Sequence, residues 1–296
     1  MSNSQLPTPD SQANGPLPPA PGFLTSAVRV FDLSLGEMLW SRRTIFMILV
    51  VGAPVLIALI LRVVVSLGAP LFENDIRQGG TTVRMTGPAI FGLMIWIFYL
   101  RFTVPVLGVF YGTSLMADEV EDKTLTYLFT RPIRRGAVLA GKYLAYLACT
   151  IFVVLPSVTI VYLLVVPMRG SLGGSFLDLV KDLALLALGL AVYGALFAFI
   201  GAKFKRPLLI GLIFIFGYEQ AALALPGYMK KFTVAYYVQG LVPHAMPNDG
   251  VVGLLQGIFR ESPGLWASLF WLTVIWGVCL TLGALIVERK EYVLEQ

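Results

Sequence analysis

LALLALGLAVYGALFAFI, residues Leu183–Ile200, runs for eighteen positions without a charged side chain or a proline. A hydrocarbon core about 30 Å thick needs about 20 apolar residues in helical form. Backbone groups in lipid must bond within their own segment or around a closed barrel. Barrel strands would alternate apolar and polar residues in pieces of about ten, and this stretch does not alternate. It predicts a membrane-spanning helix over Leu183–Ala202.

Five further runs read the same way: Ile45–Val65, Pro88–Gly112, Tyr143–Val166, Pro207–Leu225 and Leu265–Val287. The composition agrees, with 57% apolar and 13% charged residues, where a soluble domain has about 25% charged. So few charges cannot keep a soluble surface of this size in water. Disorder, collagen and coiled coil are excluded on the same composition, and two cysteines exclude a disulfide scaffold. The expected fold is all-α, a polytopic membrane protein with six transmembrane helices over residues 45–287.

An even number of spans puts both termini on one side, and Lys and Arg choose the side. Thirteen basic residues fall on the side of the termini: Arg29, Arg42, Arg43, Lys123, Arg131, Arg134, Arg135, Lys142, Lys203, Lys205, Arg206, Arg289 and Lys290. Seven fall on the other. Both termini, including the tail 288–296, are therefore expected in the cytoplasm, and the chain in the plasma (inner) membrane. The net charge of +5 expresses this bias. No basic face interleaved with exposed aromatics suggests nucleic acid.

Residues 1–24 hold six prolines and a single charge, Asp10, with no basic region before an apolar run. That is a disordered, partly polyproline tail rather than a signal peptide. From Thr25, Val28, Phe31, Leu35, Met38 and Leu39 recur at helical spacing, with Arg29, Asp32 and Glu37 between them. An amphipathic interfacial helix over 25–44, lying on the cytoplasmic surface, is expected. The external loop 226–264 carries Tyr228, Tyr236, Tyr237 and the single histidine, His244, with no metal-ligating company.

Between the second and third spans the chain reads MADEVEDKTLTYLFTRPIRRG, Met116–Gly136. Asp118, Glu119, Glu121 and Asp122 precede Lys123, Arg131, Arg134 and Arg135, the order a helix macrodipole favours. Glu119 and Lys123 form an i,i+4 pair in the better orientation. Val120, Thr124, Tyr127 and Leu128 share one face, and Pro132 ends the helix. A solvated loop would have no use for Leu125, Tyr127, Leu128 and Phe129. The segment 117–142 is therefore expected to hold a short cytoplasmic helix, polar on one side and apolar on the other.

These residues resemble the permease subunits of ABC transporters of the ABC-2 class. The shared pattern is an acidic pair, here Glu119 and Glu121, then Thr124-Leu125, the apolar pair Leu128-Phe129, Arg131-Pro132-Ile133-Arg134-Arg135, and Gly141-Lys142 opening the next span. Where the family often has Gly before the Thr, this chain has Lys123. The resemblance implies a non-enzymatic subunit that moves substrate, most commonly outward, through a path between two permease chains, a homo- or heterodimer. A separate ATP-binding subunit would hold ATP and Mg, leaving no cofactor in this chain. It also implies that Glu119, Glu121, Thr124, Leu125, Arg131 and Arg135 couple the spans to that subunit.

Gly136–Tyr143 matches G-x-x-x-x-G-K, but a phosphate loop needs Ser or Thr after the Lys and a strand before the turn. Here Tyr143 follows, a proline-stopped segment precedes, and a span comes next. Three charges fall inside the spans, Arg62, Arg101 and Glu219, each costing about 2.5–3.5 kcal/mol on insertion scales unless paired or hydrated. Arg62 is close enough to the outer interface to snorkel. Arg101 and Glu219 lie about 17 and 18 Å above the cytoplasmic ends of their spans at 1.5 Å per residue. They are expected either to form an ion pair within one subunit or to face the translocation path. A secondary transporter or channel using these two residues is the alternative function. An intramembrane hydrolase would need Ser with His, or a His/Glu metal set, at membrane depth, and neither is present.

Overall fold

The computed structural model of the chain describes residues 22–40, 42–67, 76–78, 81–83, 86–116, 135–168, 170–224, 228–242 and 263–289. The elements are α1 (Phe23–Leu39), α2 (Arg42–Ser66), β1 (Ile76–Gln78), β2 (Thr81–Val83), α3 (Gly87–Met116), α4 (Arg135–Val165), α5 (Phe176–Lys203), α6 (207–224), α7 (Val234–Gln239) and α8 (Leu265–Arg289). Five helices, α2, α3, α4, α5 and α8, are long and apolar enough to cross a membrane. The sixth apolar helix, with its apolar run over Pro207–Leu223, is shorter.

Helix extends beyond the apolar runs at several ends. α4 begins at Arg135, ahead of Tyr143, and α5 at Phe176, ahead of Leu183. Hydropathy marks the part of a helix in hydrocarbon, whereas backbone bonding continues into the interface. The β1–β2 hairpin, antiparallel with Arg77 opposite Thr82, adds a small β element to an otherwise helical fold.

Two helices depart from α geometry. In α3, Ile95–Thr103 and Gly108–Gly112 are wound as π-helix, and in α6, Ile213–Glu219 is. Bonds of i→i+5 place more residues in each turn, so α6 spans less distance than its residue count implies.

α5 is central. In α3 and α5, 67% and 61% of the most apolar window is buried inside the bundle, against 28% in α2 and 22% in α8, which therefore present their flanks outward. The α3–α5 contact runs along small residues: a Cβ on Gly112 would lie 2.8 Å from Phe197 Cβ, and one on Gly201 would lie 2.5 Å from the Thr113 carbonyl oxygen. Close backbone approach over small residues is the usual means of joining helices in lipid. Ala195, of the small series Ala187, Ala191 and Ala195, is buried here within the subunit.

α1 is bound to the start of α4 by a narrow face of Ser26, Ala27, Val30 and Ser34, all buried. Gly141 permits this, since a Cβ there would meet the Ala27 carbonyl oxygen at 2.6 Å and Val30 Cβ at 2.9 Å. Leu24, Val28 and Leu33 point away from the bundle. Thr44 Oγ1 donates to the Met38 carbonyl at 2.6 Å, closing the corner between α1 and α2. Gly141→Leu is expected to detach α1: hydrogen exchange across Phe23–Leu39 should quicken by about tenfold or more, the equivalent of about 1.4 kcal/mol of lost docking.

Candidate functional site

The residues assigned to coupling by sequence lie mostly outside the described residues: Glu119, Glu121, Thr124, Leu125 and Arg131 all do. Arg135 is the first residue of α4. The described chain leaves α3 at Met116 and resumes there, so the segment is attached at the end of the bundle where α1 packs on α4. The G-x-x-x-x-G-K match falls wholly inside α4. The match therefore forms no Gly-rich loop: from Leu139 to Lys142 the N–H groups bond to carbonyls one turn back, and no strand leads into Gly136 among the described residues.

Near the middle of α3 the structure assembles a polar cluster from four elements. Arg101, within the π-wound part of α3, donates from Nη2 at 2.6 Å and from Nε at 3.2 Å to Gln220 Oε1 on α6. Its guanidinium also stands 5.5 Å from the centroid of the Trp96 ring. Glu219 ends the π-wound part of α6 and is buried, with 1% of its surface exposed. Its Oε1 accepts from the Tyr193 hydroxyl of α5 at 2.8 Å and from the Ala235 backbone N–H of α7 at 2.9 Å. Arg101 and Glu219 lie near enough for their charges to attract.

Both charged residues thus occur where α3 and α6 are wound as π-helix, a distortion found often at functional sites. Winding changes which side chains face a neighbour, and here it presents Arg101 and Glu219 toward the same region. Gln220, Tyr193 and Trp96 were not singled out by sequence, because hydropathy flags charges and passes over neutral polar groups. The available signal was the rule that a charge in lipid needs partners, which makes Gln220 the first candidate beside Glu219.

A second polar seam ties α4, α5 and α8 together. Tyr143 donates to the Ala191 carbonyl at 2.8 Å and accepts from Trp276 Nε1 at 2.7 Å, while Tyr146 donates to the Leu190 carbonyl at 3.0 Å. Tyr99 of α3 and Ser157 of α4 are hydrogen-bonded at 3.0 Å. These bonds join neutral groups of the bundle to one another. Arg62 is exposed on α2, within a turn or so of its end at Ser66. Among the described residues no group of His, Cys, Asp and Glu is arranged to hold a metal.

A family model described as ABC-2 family transporter protein matches residues 36–291. The chain belongs to the ABC-2 transporter family. The match covers every helix from α2 to α8 and the segment 117–134 between α3 and α4, so the acid/Thr-Leu/Pro-Arg pattern lies inside it. No curated protein matches the chain. As an ABC-2 family membrane protein it is a transporter component.

Proposed function

We propose that this chain is the permease subunit of an ATP-driven exporter, working as a dimer of permease chains with two separate ATP-binding subunits that hold ATP and Mg. The family match over residues 36–291 carries this reading. The acidic-then-basic segment 117–142 supports it, since it supplies a docking element for a soluble partner. In this reading α6 is the sixth crossing, both termini are cytoplasmic and the membrane is the plasma membrane. α1 rests on the cytoplasmic surface, with Leu24, Val28 and Leu33 toward lipid.

α3 and α6 line the path at the dimer interface. Their outward side carries Ile97, Phe102, Ile213 and Phe216, all exposed, next to Arg101 and Gln220, both half-buried. That is the arrangement a shared central path requires: apolar side chains flanking a few polar groups at mid-depth.

Purification of the tagged full-length chain in mild detergent tests the reading. An ATP-binding subunit is expected to co-purify with it, and Glu119→Ala or Arg131→Ala should each lower that recovery by about tenfold, the equivalent of about 1.4 kcal/mol of interface energy. Recovery of the chain without any such subunit would sink the assignment. Unaltered recovery in both variants would leave the family membership standing and remove the coupling role of these residues.

A further inference from the structure

α5 ends at Lys203 and α6 begins at Pro207, so the turn between them, 204–206, is three residues long. From the last residue of α5 it reads Lys203-Phe204-Lys205-Arg206, three cations in four positions with no acid among them, and all three are exposed. Pro207, buried at the first position of α6, fixes the turn from behind. The turn lies at the end of the bundle where the described part of α3 stops at Met116, because Gly201 rests against the backbone of Thr113.

The three cations are not equivalent. The Lys203 ammonium stands 5.6 Å from the centroid of the Phe199 ring and 5.5 Å from that of Phe204, within the range of a cation–π attraction. Lys205 and Arg206 are adjacent and repel, and among the described residues neither side chain has an ion pair, a hydrogen bond or a ring beneath it. Phe204, Leu208 and Leu209 are exposed beside them. At the end of a membrane helix such apolar side chains lie in lipid while neighbouring cations reach for the headgroups. The anions available at that level are lipid phosphates.

We propose that this turn is a binding site for an anionic phospholipid, with Lys205 and Arg206 on the headgroup phosphate and Phe204, Leu208 and Leu209 along the acyl chains. Arginine offers a planar fork that matches two phosphate oxygens, and lysine adds a point charge. A zwitterionic lipid carries its own cation to the site and is held less well. The bound headgroup ties the foot of α5 to that of α6, beside the point where the chain leaves α3. The site requires that the chain be in a membrane and does not depend on the reading as an exporter.

Native mass spectrometry of the full-length chain in a neutral detergent reads the site directly. The chain is titrated with phosphatidylglycerol or with phosphatidylcholine of the same acyl chains. Phosphatidylglycerol should bind about tenfold more tightly or better. Lys205→Gln with Arg206→Gln should weaken its binding by about thirtyfold, about fivefold for each charge, and leave phosphatidylcholine unaffected. Arg206→Lys should fall between. The matched control is Lys230→Gln with Lys231→Gln, two cations already seated on the rings of Tyr236 and Tyr228 at 5.9 and 4.7 Å; it should bind like the parent. Both double variants should elute and melt like the parent, and if the first does not, its two single variants decide the matter at about fivefold each. Equal loss in the two double variants, or no preference between the lipids, would overturn the site. Displacement of the lipid by excess inorganic phosphate would make it a site for soluble anions instead. Undiminished lipid binding with loss of a co-purifying ATP-binding subunit would make the turn a protein contact, which also refutes it.

Discussion

Gly201→Leu is expected to leave almost no correctly folded chain. The hydrogen on Gly201 faces the backbone of Thr113, whose carbonyl oxygen, carbonyl carbon and Cα would lie 2.5, 3.1 and 3.2 Å from an added Cβ. Three atoms of one backbone cannot yield as a side chain yields, so α5 would have to withdraw from α3. That contact also carries Gly112 against Phe197 and Gly108 against Tyr193, and all of it would loosen together. Overpacking by one or two methylenes costs about 1–3 kcal/mol. Gly201→Ala should therefore lower the thermal midpoint clearly, and Gly201→Leu, with its longer side chain, should fail to give a monodisperse species. Gly52→Ala is the control: nothing lies within 4 Å of the added atom, and alanine favours helix over glycine by about 1 kcal/mol. Its midpoint should hold or rise. The measurement is fluorescence-detected size exclusion after graded heating. A Gly201→Leu chain that eluted and melted like the parent would show that α3 and α5 do not meet at Thr113.

This seam marks the boundary of what the sequence discloses. The apolar runs announced themselves, since about 20 residues without charge leave a chain few choices, and five of the six appear as helices of spanning length. The ends of α4 and α5 did not, because Arg135 and Phe176 are helical for reasons of backbone bonding that hydropathy does not register. Ala187, Ala191 and Ala195 recur at i,i+4 in α5, yet among its glycines Gly194 and Gly201 are where neighbouring helices come closest. A periodic pattern shows which residues could allow close approach; only the crossing of two helices decides which do. The π-wound parts of α3 and α6 were likewise illegible. Their residues have ordinary helical propensity, and the i→i+5 register follows from packing between elements far apart in sequence. Arg101 and Glu219 stand out in the sequence because charge in lipid is rare, and counting residues gives them similar expected depths. Their nearest hydrogen-bonding partners, Gln220 and Tyr193, depended on rotation about each helix axis, which π winding changes.

Reversing both charges, Arg101→Glu with Glu219→Arg, should rescue neither single variant. A simple ion pair would regain its attraction on exchange. The surroundings of Glu219 forbid this, because the Tyr193 hydroxyl and the Ala235 N–H both donate to its Oε1. An arginine has five donors and no acceptor, so at position 219 it would meet two donors, and a cation would replace an anion at the N-terminus of α7. At the other site, a glutamate at 101 would lose the two bonds that Arg101 makes to Gln220 Oε1, and even with the Gln220 amide flipped it would have a neutral donor in place of a charged partner. Breaking a buried charged contact by removing one partner costs about 3–5 kcal/mol. Each single variant should therefore reduce the folded yield severely, and the double variant should do no better than the worse of the two. Arg101→Lys should recover only part of the parent behaviour, since an ammonium cannot offer Nε and Nη2 together to one oxygen while stacking on Trp96. Tyr193→Phe, which removes one donor and leaves the carboxylate its Ala235 bond, should be the mildest of the set. The comparison is made by size-exclusion profile and thermal midpoint across the five variants. A double reversal that restored the parent profile would show that the attraction between Arg101 and Glu219 outweighs the hydrogen bonds each makes elsewhere.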